Sequence, residues 1–229
     1  HLLHRDELLA DLQFRHRTEH AVGHGVAVAV PPGQATVTRV HTTWIPRAEV
    51  PRVETRDETA AERGMEALAK LDDPDRLRAA LAPLVEEYGQ WLRTLADERE
   101  HPLDDDRRRE VRDDLVIPDA EAARERIAAG IDVLATDPVA RRAFCLANQA
   151  MADAALQRSP ERYPAGGERP SWRLFQLAFV LLSVRGVVDP SHDDRSVVDL
   201  VFFPTGGGKT EAYLGVIAFS LALRRLRGR

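Results

Sequence analysis

One cysteine, Cys145, is present in the whole chain, so no intrachain disulfide can form and the fold must be held by packing. A reducing interior is the natural compartment, and the cytoplasm is the expected location. Long hydrophobic runs are also lacking. The most continuous, Ala212 to Leu223, is broken by Gly215 and Ser220 and falls short of the roughly 18 residues that a membrane-crossing helix needs, so no membrane is expected. No N-terminal stretch combines a basic start, an apolar middle and a small-residue cleavage site. Lysine is nearly missing: of 32 basic residues, all but Lys70 and Lys209 are arginines. A lysine inside a motif is therefore more informative here than in a chain of average composition. With a formal charge of −5 the chain has no global excess of positive charge, which speaks weakly against nucleic acid; a local groove can still grip phosphates.

What is present is the balance of a folded chain, 44% hydrophobic and 30% charged over 229 residues, enough for one domain or two. The chain opens at His1, and Leu221 to Arg229 come straight after an apolar helix, so the sequence is expected to be a piece of a larger protein. Alternation in Val26–Val30 and Thr36–Val40, around Pro31-Pro32-Gly33, predicts a β-hairpin within a β-rich segment, residues 21–46. Residues 56–158 change to helical spacing, with Leu77, Leu81, Leu84, Tyr88, Trp91 and Leu95 at steps of three and four. Asp72-Asp73-Pro74-Asp75 reads as a stop and restart, and further helices are predicted at Asp119–Ala135 and at Asp137–Gln157, with Pro138 in the first turn. Three prolines and Gly166-Gly167 between Ser159 and Pro170 mark a linker, which puts the expected domain boundary between residues 1–165 and 166–229. Beyond it come a helix at Trp172–Val184, a polar loop at Asp189–Ser196 and a run without alternation, Val197–Phe203. That run has the pattern of a strand buried on both faces of a parallel sheet. It leads through glycines into a helix from Glu211 to about Arg225, apolar nearly all round.

The order strand, glycine loop, helix is where chemistry is expected. A triphosphate is a dense anion, and a ring of backbone N–H groups at a helix N-terminus can hold it. Gly206, Gly207 and Gly208 permit the close turn, Lys209 can reach the β- and γ-phosphates, and the Thr210 hydroxyl can hold Mg²⁺. The full pattern G-x-x-x-x-G-K-[ST] would place glycine at 203, where this chain has Phe203. That departure argues against kinases, small GTPases and ABC transporters. With Thr205 before the glycines and Glu211 after them, the loop resembles motif I of superfamily 2 helicases. Arg173-Leu174-Phe175-Gln176 likewise resembles the R-x-x-Q of the helicase Q motif, whose glutamine pairs with adenine.

The phrase from Phe202 to Gly215, with Trp172–Phe179 before it, is similar to the DrmA family, the helicase-like subunits of DISARM anti-phage systems. Ala21–Gly25 and Thr43–Pro46 also resemble that family's N-terminal region. The resemblance implies an α/β architecture: a largely helical accessory domain with a small sheet, followed by the start of a RecA-like ATPase domain. It further implies an ATP- and Mg²⁺-dependent DNA translocase or helicase, with DNA and a DrmB-like subunit as partners. On that reading residues 1–229 alone are expected to show no ATP turnover. Two rival readings stay open, another P-loop NTPase such as an AAA-type remodeller and a non-enzymatic interaction module with a degenerate loop.

Other features have plainer readings. His16, His20 and His24 recur every four residues, but Gly23 and Gly25 break the helix a metal face would need. Cys145 lies between Phe144 and Leu146 and reads as a buried small hydrophobe. Asp104-Asp105-Asp106 next to Arg107-Arg108-Arg109 reads as a self-paired charge run. Arg224, Arg225, Arg227 and Arg229 suit either DNA contact or the negative end of a helix dipole.

Overall fold

A computed structural model describes residues 5–15, 21, 23–30, 37–43, 58–97, 105–201 and 207–228. Its elements in chain order are helix α1 (Arg5–Gln13), strands β1 (Ala27–Ala29) and β2 (His41–Thr43), and helices α2 (Met65–Leu68), α3 (Pro74–Asp97), α4 (Asp106–Val111), α5 (Ile117–Thr136), α6 (Pro138–Arg158), α7 (Leu174–Val188) and α8 (Lys209–Leu226). A π-helical turn at Arg112–Val116 and a 3₁₀ turn at Asp193–Ser196 complete the described set. The fold is mostly helical with one small antiparallel sheet, consistent with a mixed α/β class.

The chain divides into two units, of which the smaller comprises His1–Arg52 and Glu98–Val116. Here the predicted hairpin forms, with Ala27 opposite Thr43, Val28 opposite Thr42 and Ala29 opposite His41. Its second strand lies beyond the alternating Thr36–Val40 run. β-Branched Thr42 and Thr43 suit a half-buried pleat as well as valine does, and the Thr43 hydroxyl adds a long 3.4 Å bond to the Ala27 carbonyl. Asp105 caps α4 by accepting from the Arg108 N–H at 2.8 Å. Arg108 reaches both carboxylate oxygens of Asp11 at 2.9 and 3.1 Å, and Arg109 pairs with Asp106. Within the run, Asp105 is thus used as a cap and Arg109 pairs with Asp106, while Arg108 reaches out to α1. Asp104 lies outside the described residues.

Val53–Asp97 and Ile117–Arg229 form the larger unit. Asp73 Oδ1 accepts from the N–H groups of Asp75 and Arg76 at 3.1 and 2.8 Å, which starts α3 where the sequence predicts a restart. Asp137 does the same for α6, accepting from Val139 and Ala140 at 2.8 and 3.0 Å, with Pro138 in the first turn. Apolar faces then dictate the packing. Helix α5 lies against α3 and α7, α6 against α8, and α7 against α8. Leu77, Leu81, Leu134, Leu177, Leu181 and Val184 are fully buried, and Phe144 and Phe219 nearly so. Each contributes roughly 1.5–3 kcal/mol by leaving water. A single core therefore runs from Ala61 to Leu223, with Cys145 also buried in α6.

Two expectations change in this unit. Val197–Val201 joins no strand, and Val198 and Leu200 are 93% and 83% exposed, so these described residues are not the doubly buried strand that their apolarity predicts. An apolar run becomes a central strand only where neighbouring strands take its N–H and C=O groups, and β1 and β2 are the only strands among the described residues. Phe202 and Phe203 lie outside that set. Helix α8 is likewise covered on one side only: Ala212, Gly215, Phe219 and Leu223 are buried, whereas Tyr213, Leu214, Ile217 and Leu221 form an exposed stripe.

Candidate nucleotide site

The approach to α7 is fixed first. Met65 N–H donates to the Pro170 carbonyl at 3.0 Å and Trp172 N–H to the Arg63 carbonyl at 2.9 Å, an antiparallel bridge centred on Gly64 and Ser171. The Trp172 ring is 2% exposed, and its Nε1–H donates to Asn148 Oδ1 at 2.7 Å. Asn148 is itself buried in α6 and donates to the Phe144 carbonyl at 2.9 Å, so both polar groups are satisfied. Trp172 is thereby bolted to α6, and Arg173 follows it at the start of α7.

From that start two side chains reach the glycine loop. Arg173 Nη1 donates to the Gly207 carbonyl at 2.9 Å, and Gln176 Nε2 donates to the Gly208 carbonyl at 2.7 Å. Gln176 is only 4% exposed, and its Oε1 accepts from the Arg173 N–H at 2.9 Å. Each end of its carboxamide therefore has a partner within the protein. Gly208 has φ +85°, a left-handed conformation that favours glycine. A Cβ there would also lie 2.5 Å from Gln176 Nε2. Glycine at 208 is thus required by the backbone turn and by the glutamine that closes on it.

Lys209 is the first residue of α8, half-buried, and Thr210 is exposed beside it. The first turn of an α-helix leaves N–H groups without intrahelical partners and carries the positive end of the dipole, which suits an anion. Glu211 Oε1 lies 3.4 Å from Arg158 Nη2 at the end of α6, so the acidic residue after the threonine faces a cation of the helical layer. Of the predicted site residues, the structure brings together Arg173, Gln176, Gly207, Gly208, Lys209, Thr210 and Glu211. Thr205 and Gly206 lie outside the described residues.

Sequence reasoning missed the supports. Asn148 had a signal, a polar residue four after Phe144 on an apolar helix face. Arg158 had none. A second network was also missed: Arg126 of α5 grips Asp199 at 2.6 and 2.8 Å, and Arg185 grips Asp194 at 2.8 and 3.0 Å, holding the segment that leads to the loop. Of the C-terminal arginines, Arg227 donates to the Val188 carbonyl at 2.7 Å and to Asp137 at 3.1 Å, which gives it a place in helix-end packing. Among the described residues no group of three or more His, Cys, Asp or Glu is placed to hold a metal, and His16 and His20 lie outside them. No helix among the described residues is long and apolar enough to cross a membrane.

Over 239 aligned residues the chain is 33% identical to DISARM protein DrmA of Bacillus paralicheniformis (strain ATCC 9945a / NCIMB 11709 / CD-2), an alignment covering 95% of this chain and 20% of that protein. The chain thus spans about a fifth of the length of the curated relative it matches. No family model matches it.

Proposed function

We propose that this protein, 33% identical to DISARM protein DrmA over 95% of its own length, carries the nucleotide-binding loop of an ATP-dependent DNA translocase or helicase of superfamily 2, acting in DISARM anti-phage defence. The observation that supports it most is local: Gly207-Gly208-Lys209-Thr210 stands at the N-terminus of an 18-residue helix, with Gly208 left-handed and both glycine carbonyls held from α7. The residues fit a polyphosphate in chemistry, a helix N-terminus entered through a left-handed glycine and followed at once by Lys209 and Thr210. Lys209 would place its charge against the β- and γ-phosphates, Thr205, Gly206, Gly207 and Gly208 would line them with backbone, and the Thr210 hydroxyl would hold Mg²⁺. ATP, when bound, supplies the phosphoanhydride whose cleavage drives movement.

In this reading residues 166–229 open a RecA-like domain and residues 1–165 form the accessory part, with DNA and a DrmB-like subunit as partners. The accessory helices are then part of the motor's foundation, because α7 and α8 share one core with α3, α5 and α6. Lys209→Ala in the intact protein tests the reading. Binding of ATP should weaken greatly and turnover should vanish, while thermal unfolding stays near wild type. Near-wild-type ATPase activity in a folded Lys209→Ala protein would sink it.

A further inference from the structure

The Q-like motif faces the loop with both ends of its glutamine already engaged. We propose that Arg173 and Gln176 are positioning residues for phosphate, gripping the carbonyls of Gly207 and Gly208 from behind so that the peptide N–H groups point at the anion, and that Gln176 does not read the base. The inference deepens the P-loop reading above and rests on it.

The argument is one of peptide geometry. A trans peptide is planar, with its C=O and N–H directed to opposite sides, and no peptide bond among the described residues is cis. The carbonyl of Gly207 shares its plane with the N–H of Gly208, and the carbonyl of Gly208 shares its plane with the N–H of Lys209. Arg173 Nη1 at 2.9 Å from the first carbonyl and Gln176 Nε2 at 2.7 Å from the second draw both oxygens toward α7. Both N–H groups are thereby turned away from α7, consecutively, as an anion-binding nest requires. Glycine peptides flip easily, and a flipped peptide would present a carbonyl oxygen to a phosphate and repel it. Two outside grips on consecutive carbonyls oppose that flip.

Adenine recognition by the same glutamine would use the same atoms. Adenine would have to reach the second N–H of Nε2 and the second lone pair of Oε1, on a side chain that is 4% exposed and already held at Gly208 and at the Arg173 N–H. The left-handed Gly208, whose missing Cβ makes room for Nε2 at 2.5 Å, is shaped for the grip rather than for its release. Trp172, one residue before Arg173, is anchored to Asn148, so the grip starts from a fixed point.

The test is Gln176→Glu in the intact protein, with ATP, GTP and inorganic tripolyphosphate as probes in equilibrium binding. Glutamate keeps the shape and can still accept from Arg173, but it cannot donate to Gly208 and its charge repels that carbonyl. All three probes should bind roughly tenfold more weakly, by a common factor, with the ATP-to-GTP ratio unchanged. Arg173→Ala provides a second route through the other carbonyl and should also weaken the three probes alike. If Gln176→Glu weakens ATP alone, levels ATP against GTP and leaves tripolyphosphate untouched, Gln176 reads the base and the proposal is overturned. Wild-type affinity for all three probes in both variants overturns it as well. A wild-type protein that binds none of them defeats the P-loop reading itself, which Lys209→Ala identifies separately.

Discussion

Among the described residues of the larger unit, Asp194 is an acid with three cationic or titratable neighbours. Arg185 bonds both its oxygens, Arg126 Nε comes within 3.8 Å, and His192 Nδ1 within 3.6 Å, with 11% of the side chain exposed. The hydrogen bond from Arg185 is the main reason its carboxyl is held below the usual carboxylate range; burial opposes that shift, and the charges of Arg185, Arg126 and His192 add to it. A carboxyl whose pKa is lowered on folding stabilises the fold above its unfolded value, near 4, and loses that contribution as pH falls through the folded value. Asp194→Asn should therefore destabilise the protein by about 1–3 kcal/mol at pH 7, and the gap to wild type should close below about pH 4. Denaturant melts at pH 7, 5 and 3 check it; a gap that stays constant with pH would contradict it. At this scale the sequence was informative about placement. Lys209 and Thr210 stand at the start of a helix, as the glycine run before them implied, and Cys145 is buried as its apolar neighbours imply, its thiol pushed up by burial and by Asp72. Partners were not legible: Gln176 could be recognised, but not that Gly208 had claimed its amide.

Among the elements, helix α5 packs against α7 at Gly130, where a Cβ would lie 2.0 Å from the Leu181 carbonyl oxygen. Two effects compete in Gly130→Ala. Helix propensity favours alanine by about 1 kcal/mol, whereas the clash is with backbone and can be relieved only by separating two helices that meet through Ile127, Leu177, Leu181 and Val184. The clash should win, with a net loss of roughly 1–3 kcal/mol seen as a lower denaturation midpoint. An unchanged or raised midpoint would show that the crossing is looser than described. Helix positions were legible because leucines recur at 3.6-residue spacing and Asp73 and Asp137 announce their starts. Strands were less so. The ladder of β1 and β2 has three residue pairs, and threonines filled it where a valine-alternating run was expected, because edge packing accepts either.

For the whole molecule, the apolar character of Val197–Val201 and of α8 was legible, but what should lie against it was not. Periodicity reports that a face is apolar and is silent about the partner that covers it, so a sandwiched helix and a half-covered one read alike. Nor could spacing reveal that the helical middle and the loop helix share one core, since contacts between α6 and α8 join residues far apart in the chain. That shared core gives Trp172 a use of another kind. Its buried indole is held by Asn148 and is next in the chain to Arg173, whose guanidinium reaches the Gly207 carbonyl, while Trp91 is 48% exposed. Replacing Trp44 and Trp91 by phenylalanine leaves one tryptophan, next in the chain to the arginine that holds the loop. Its emission should be blue-shifted, as for an indole out of water, and should change in intensity as tripolyphosphate is titrated in. Emission typical of a solvent-exposed indole would contradict the anchoring to Asn148. A change in that emission would make Trp172 an internal optical gauge of events at the glycine turn, needing no label.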